Sequence, residues 1–172
     1  MIDIRNEYAQ YGVEAYYKNN GNNYRNPHES IIGECLSQVI DEYDKRGTNI
    51  LDLACGSGEV TSCFKNASLM GVDPYTHQAY FRRTGKYALP YTFDDIANGV
   101  LKCHYDIVIC SFAMHLIEKS RLPGICAGLS QITSKLIILT PNKNPIINFI
   151  WELKKEILHK RVRLRIYELS NT

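Results

Sequence analysis

The chain lacks the marks of several protein classes. Its opening stretch, MIDIRNEYAQYG, is polar and holds no apolar run, so no signal peptide is expected. The longest apolar-leaning run, IVICSFAMHLI, has roughly half the length of a membrane span, so a cytoplasmic protein with no membrane partner is expected. The six cysteines, at 35, 55, 63, 103, 110 and 126, form no Cys-x-x-Cys pair. The spacing of structural zinc sites is therefore missing, no metal is expected, and the cysteines read as reduced core residues. The net charge of +2 is too small to argue by itself for a nucleic-acid partner. There is no internal repeat and no low-complexity linker, and 172 residues suit one domain spanning 1–172. With 45% hydrophobic and 22% charged residues, the composition is globular rather than disordered.

Aliphatic residues are also scarce at the start. The first 28 residues are rich in tyrosine and asparagine, and residues 1–26 read as an N-terminal lid or arm. Asn26-Pro27 then supplies an N-cap and a proline at the first helical position. Ile31, Ile32, Cys35, Leu36, Val39, Ile40 and Tyr43 follow at helical spacing, which predicts an amphipathic helix over roughly 27–45. Beyond Gly47, short apolar runs alternate with mixed segments. NILDLA, LMGVD, YDIVICSF and KLIILT read as strands, and KYALPYTF as a weaker one because of Pro90. Residues 59–65, HQAYFRRTGK and 121–134 read as helices. Near-continuous apolar strands alternating with helices predict an α/β domain, a parallel sheet covered on both faces. In the tail, Val162, Leu164 and Ile166 alternate with Arg161, Arg163 and Arg165. This favours an antiparallel hairpin turning near His159-Lys160 over a helix followed by a strand.

NILDLACGSGEV carries the functional signal. A strand feeding Gly56-x-Gly58 and then a helix is a ligand cradle, because glycine lets a ligand approach the backbone and a helix start offers unpaired N–H groups. The third glycine of a nicotinamide-binding fingerprint is missing; Val60-Thr61 occupies that region. Asp52 would repel a pyrophosphate and suits a ligand with a cationic end. Asp73, 21 residues later at the tip of the next strand, is placed to accept both hydroxyls of a ribose. A ribose joined to a cationic amino-acid end describes S-adenosylmethionine (SAM).

LDLACGSG, GVD, FDDIA and YDIVICSFAMHLI together resemble the Rossmann-like (class I) SAM-dependent methyltransferases, over roughly residues 27–141. The resemblance implies a three-layer fold with a mostly parallel seven-stranded sheet ending in an antiparallel C-terminal hairpin. It implies that Asp52, Ala54, Gly56 and Gly58 hold the methionine moiety, and that Asp73, followed by Pro74, binds the ribose. It matches Asp95 and Ile96 to the adenine-contacting pair, with Asp94 as the substitute if the register shifts by one. It places Ser111, in CSFAMHLI, beside the transferable methyl. Ala54 departs from the family, which often has glycine there.

The acceptor is less legible. No Asn- or Asp-Pro-Pro-aromatic motif, Pro-Cys or Thr-Cys nucleophile or carboxylate cluster follows the fourth strand, which disfavours exocyclic-amine methylation of nucleobases, cytosine-C5 methylation and metal-dependent catechol-type chemistry. His115 is the candidate base, or else a packed histidine; His28 has a weaker claim. Tyr17, Tyr24 and Arg25 could reach the methionine carboxylate or the acceptor from a lid, or belong to a docked arm. Asn142 and Lys143, after the fifth strand, are placed near the same pocket. The basic tail suits either phosphate binding or the solvation of an edge strand. The expected function is methyl transfer from SAM to an RNA, a protein or a small molecule, with a partner subunit as an option. The rival readings are a non-catalytic methyltransferase-like subunit and a nicotinamide-dependent oxidoreductase.

Overall fold

A computed structural model describes residues 12–148 and 150–170. Five strands run parallel: β1 (Asn49–Leu53), β2 (Ser68–Val72), β3 (Ala88–Leu89), β4 (Ile107–Ser111) and β5 (Lys135–Thr140). Two more, β6 (Trp151–His159) and β7 (Val162–Leu169), form the antiparallel hairpin that the alternation predicted. The sheet order is β3-β2-β1-β4-β5-β7-β6, with β7 antiparallel to β5. The helices are α1 (Val13–Asn20), α2 (Glu29–Leu36), α3 (Ile40–Tyr43), α4 (His77–Thr84), α5 (Phe93–Ala97) and α6 (Leu122–Ser130). Among the described residues this is the three-layer α/β architecture expected; residues 1–11 of the expected lid lie outside them.

Strand alternation divides the core into two layers. Ile50, Ile109, Ile137 and Leu164 face α2 with Ile32 and Leu36. Leu51, Val108, Leu136 and Tyr167 face α6 with Ile125 and Leu129. Both faces are covered, so β1, β4 and β5 are buried at nearly every position rather than at alternate ones. The β6–β7 turn has Lys160 and Arg161 at φ 44 and 71. Two successive left-handed residues match the twist of a two-residue hairpin. The six cysteines are free; Cys35, Cys55, Cys110 and Cys126 are buried, Cys63 is half-buried and Cys103 is exposed.

Local competition shortens several predicted elements. The expected helix over 27–45 breaks after Leu36, where the Ser37 hydroxyl and Gln38 amide both bond the Glu34 carbonyl. The expected helix over 59–65 is only a 3-10 turn, Thr61–Cys63. There the Asp52 carboxylate takes both the Thr61 N–H and its hydroxyl, at 3.1 and 2.7 Å. Strand β3 is only two residues long and stops at Pro90.

Candidate functional site

Strand order reverses about β1, whose neighbours are β2 and β4, and open α/β sheets bind ligands outside such a point. A cavity of about 350 Å³ lies there. The loop leaving β1 lines it with Ala54 and Gly56, and the loop leaving β2 with Asp73, Pro74 and Tyr75. Tyr91, Thr92, Phe93 and Asp94 enter from the start of α5, and Ser111, Phe112 and Ala113 from the tip of β4. Glu14, Tyr17, Tyr24 and Asn26 of the N-terminal segment supply the remaining side.

Backbone strain concentrates on this wall. Ala54 and Phe112, neither of them glycine, sit at φ 55 and 54 where β1 and β4 end. Such conformations cost a non-glycine residue about 1–2 kcal/mol and tend to cluster at functional sites. Gly56, at φ 55, has no room for a side chain: a Cβ would lie 3.0 Å from both Tyr24 and Glu59. Gly58 serves packing instead, since a Cβ there would meet Thr84 of α4 at 2.6 Å.

The N-terminal segment is pinned to this site. A Cβ on Gly21 would lie 2.2 Å from the Tyr75 carbonyl oxygen, so the chain crosses the β2 loop in direct contact. Arg82 donates to the Asn23 side chain at 3.3 Å, and the Asn26 N–H donates to buried Glu59 at 3.1 Å. Glu59 also accepts from Ser57 and is paired with Arg83, which reaches Glu29 as well. Tyr17 and Tyr24 pack edge to face with ring centres 5.2 Å apart.

Three buried acids give the site its electrostatics. Burial pushes the Asp52 carboxyl up to about 7, against the hydrogen bonds from Thr61, and the charges of Glu59 and Asp73 push the same way. Burial also raises Asp73, opposed by the N–H groups of Tyr75 and Thr76 at 2.8 and 3.0 Å from its Oδ1. Among the described residues the Asp73 Oδ2 accepts a long contact from the Gly56 N–H, at 3.4 Å, and so keeps accepting capacity toward the cavity. Arg83 pairs with Glu59, and on the far wall Arg121 is paired with Asp94, so both guanidinium groups near the cavity are already held by carboxylates and the ground around Asp73 favours a cation over a pyrophosphate.

The sequence-predicted residues divide into two groups. Ala54, Gly56, Asp73, Pro74, Ser111, Tyr17 and Tyr24 line the cavity; Asp52, Gly58, Asp95, Ile96, Arg25 and His115 do not. Asp52 departs from its expected place because it is fully buried inside β1 and bonded to Thr61, beneath the loop rather than on its surface. Asp95 is spent on a capping box with Thr92, accepting its N–H and hydroxyl at 2.8 and 2.7 Å. Ile96 turns into the core, and the alternative, Asp94, lines the cavity beside its ion-pair partner Arg121. Arg25 points outward and pairs with Glu29. His115 lies in a turn whose Ala113 and Leu116 reach the wall while its own ring does not. Burial and nearby His28 hold its imidazole below the ordinary histidine value. Sequence reasoning missed Glu59, Asn26, Tyr75 and Phe112. Only Glu59 carried a signal, as a lone acid directly after the Gly-x-Gly.

No protein-family model matches the chain. A protein of Schizosaccharomyces pombe, itself uncharacterized, is 35% identical over 86% of this chain and 78% of its own length. Among solved structures, magnesium protoporphyrin IX methyltransferase of Synechocystis, with SAM bound, has a TM-score of 0.61 at 14% identity, over 97% of this chain and 95% of its own. A protein of Pyrococcus horikoshii provisionally assigned as an RNA methyltransferase reaches 0.62 at 15% identity, over 86% of this chain and 87% of its own. A SAM-dependent methyltransferase of Archaeoglobus fulgidus reaches 0.53 at 18% identity, over 69% of this chain and 55% of its own. The chain therefore has the Rossmann-like (class I) SAM-dependent methyltransferase fold and belongs to one family with the Schizosaccharomyces pombe protein.

Proposed function

We propose that this protein binds SAM in the cavity at the β1, β2 and β4 tips and transfers its methyl group to an acceptor. The observation that carries the reading is Asp73: a strand-tip carboxylate, fixed through one oxygen by two backbone N–H groups, with its other oxygen available to ribose hydroxyls. Glu59 on the cavity wall, with Asp52 buried beneath the loop behind it, gives this end of the cavity a negative character that suits a sulfonium and an ammonium better than the pyrophosphate of a nicotinamide dinucleotide. Tyr91 and Phe93 would hold the adenine between flat faces, and Asp94 would offer its exocyclic amine an acceptor.

When bound, SAM supplies a methyl carbon already activated by a positive sulfur, so the protein's work is placement. Ser111, Phe112 and Ala113, at the tip of β4, would border the reactive end of the bound group and leave room there for the acceptor. Tyr17, Tyr24 and the rest of the 12–26 segment act as a lid, keeping water out and holding the two reactants in line.

The test is Asp73→Asn, which keeps an acceptor for Tyr75 and Thr76 but loses the charge that strengthens bonds to a ribose. Calorimetry should show SAM affinity falling tenfold or more, since each charge-assisted hydrogen bond contributes about 1.5–3 kcal/mol. Thermal stabilisation of the parent by SAM, and none by NAD, is expected; at a hundredfold excess over Kd it amounts to about 2.7 kcal/mol. A parent protein indifferent to millimolar SAM would end the proposal.

A further inference from the structure

We propose that the methyl acceptor is a nucleobase in an unpaired strand of nucleic acid, whose phosphates lie along the rim made by the 141–145 loop and the β6–β7 turn. The inference rests on the methyltransferase reading and names its substrate class.

Charge is unevenly distributed. Residues 141–170 hold seven of the 20 Lys and Arg but three of the 18 Asp and Glu, so the rest of the chain is acidic on balance. The fold carries part of that excess to the cavity end of the sheet. Thr140, the last residue of β5, pairs with Arg163 of the antiparallel β7, so the Lys160–Arg161 turn lies at the same end as the β4 and β5 tips. Strands β4 and β7 are two spacings apart, about 10 Å, a distance that a few nucleotides cover.

Lys143 and Arg161 are exposed on this rim and have no ion-pair partner among the described residues, whereas Lys160 is held by Glu34. Charges that guard an edge strand against aggregation account for Lys154 and Lys155 on β6, but not for cations in a loop and a turn. The rim is also pre-formed. Arg165, only 4% exposed, donates to the Lys143 and Pro145 carbonyls at 2.8 and 2.7 Å and to Glu156 at 2.6 Å. The Thr140 hydroxyl reaches the Asn144 carbonyl at 3.3 Å. A cation on a pinned backbone loses little freedom when it meets a phosphate.

The cavity is fitted for flat rings. Tyr17, Tyr24, Tyr75, Tyr91, Phe93 and Phe112 all line it, so four aromatic rings remain beyond the two assigned to the adenine. Phe112 ties the cavity wall to β5, the strand that leads into the 141–145 loop: its N–H donates to the Leu139 carbonyl at 2.8 Å, and its ring stacks on exposed His28 with centres 4.9 Å apart. Aromatic walls beside a basic track are how single-stranded nucleic acid is held. A recessed cavity admits only a base already out of its stack. A ring nitrogen of that base, rather than the exocyclic amine whose motif is missing, gives its lone pair to the methyl carbon as the carbon–sulfur bond breaks. The bond's electron pair stays on sulfur, leaving S-adenosylhomocysteine, and the positive charge passes from the sulfur to the methylated ring, so no proton has to leave the closed site.

Fluorescence anisotropy of the full chain with a short unstructured oligonucleotide, in separate RNA and DNA arms, tests this. Binding in at least one arm is expected, weakening between about 50 and 200 mM salt. The variant K143E/R161E should bind roughly tenfold more weakly or worse, with a salt slope lower by about 1.4 for two lost phosphate contacts. Its SAM affinity, measured by calorimetry, should equal the parent's. Absence of oligonucleotide binding at low salt, or a variant that binds like the parent, would overturn the inference. So would label from methyl-tritiated SAM that protease rather than nuclease removes from a treated cell extract, which would assign a protein acceptor. Loss of SAM binding by the parent would instead strike the underlying methyltransferase reading.

Discussion

Replacing Asp52 by Asn should make the protein more stable at neutral pH while leaving its acid stability nearly unchanged. The carboxyl is completely buried; its Oδ2 accepts from Thr61, and its Oδ1 has no partner among the described residues. Burial raises it from an ordinary value of 3.8 to about 7. An acid whose folded value lies above its unfolded value binds the proton more tightly when folded. The stability it confers is therefore present at low pH and is lost as pH rises between the two values. The slope is about 1.4 kcal/mol per pH unit, so the native state should lose about 2–3 kcal/mol from this group between pH 5 and 8, with a plateau above pH 7. Asn resembles the protonated acid: its oxygen can still accept from Thr61, and it carries no charge to strand. Urea unfolding of both proteins at pH 5, 6, 7 and 8 should give curves that diverge by that amount, with the variant on top. Parallel curves would refute the reasoning, because they would mean that the carboxylate is ionised without penalty. A bound cation should favour the charged form, so SAM affinity in the parent should rise from pH 6 to 8, with proton release visible as a buffer-dependent binding enthalpy, and neither effect should survive in Asp52→Asn.

Two other substitutions separate strain from closure. Ala54→Gly should leave stability unchanged or raise it by up to about 1 kcal/mol, because relief of the left-handed φ outweighs or cancels the added freedom of the unfolded chain; a clear loss in urea would show that the Ala54 methyl contributes packing instead. Gly21→Ala should push the N-terminal segment off Tyr75, where its Cβ would lie 2.2 Å from a backbone oxygen, so that hydrogen exchange of residues 12–24 quickens and SAM dissociates faster while the sheet stays protected; unchanged exchange and release would mean that the segment is not a lid.

The division between local and tertiary information runs through particular residues. Apolar strands, the Gly-x-Gly loop and the alternation of Val162, Leu164 and Ile166 are one-dimensional patterns imposed by burial on two faces, by backbone φ and by the pleat, so they were legible before any coordinates. From them followed the parallel sheet, its hairpin and the place of Gly56 and Asp73 on the cavity. The capping box in Thr92-x-x-Asp95 was equally local and was passed over: the same carboxylate that suited an adenine amine is also the one that closes a helix start, and the nearer partner won. Direction of burial was not legible. Asp52 near the end of β1 and Gly58 in the loop after it both keep their expected places along the chain, yet one lies beneath the loop and the other against α4, because a spacing says how far along the chain a residue is and not which neighbour crosses over it. Glu59, Tyr75 and Phe112 joined the site only through contacts with residues 27 to 54 positions away, which the packing of α2, α4, β5 and the N-terminal segment decides. The basic tail reached the cavity end of the sheet for the same kind of reason: an antiparallel β7 returns the turn to the tips of β4 and β5, where a parallel strand would have carried it to the opposite end.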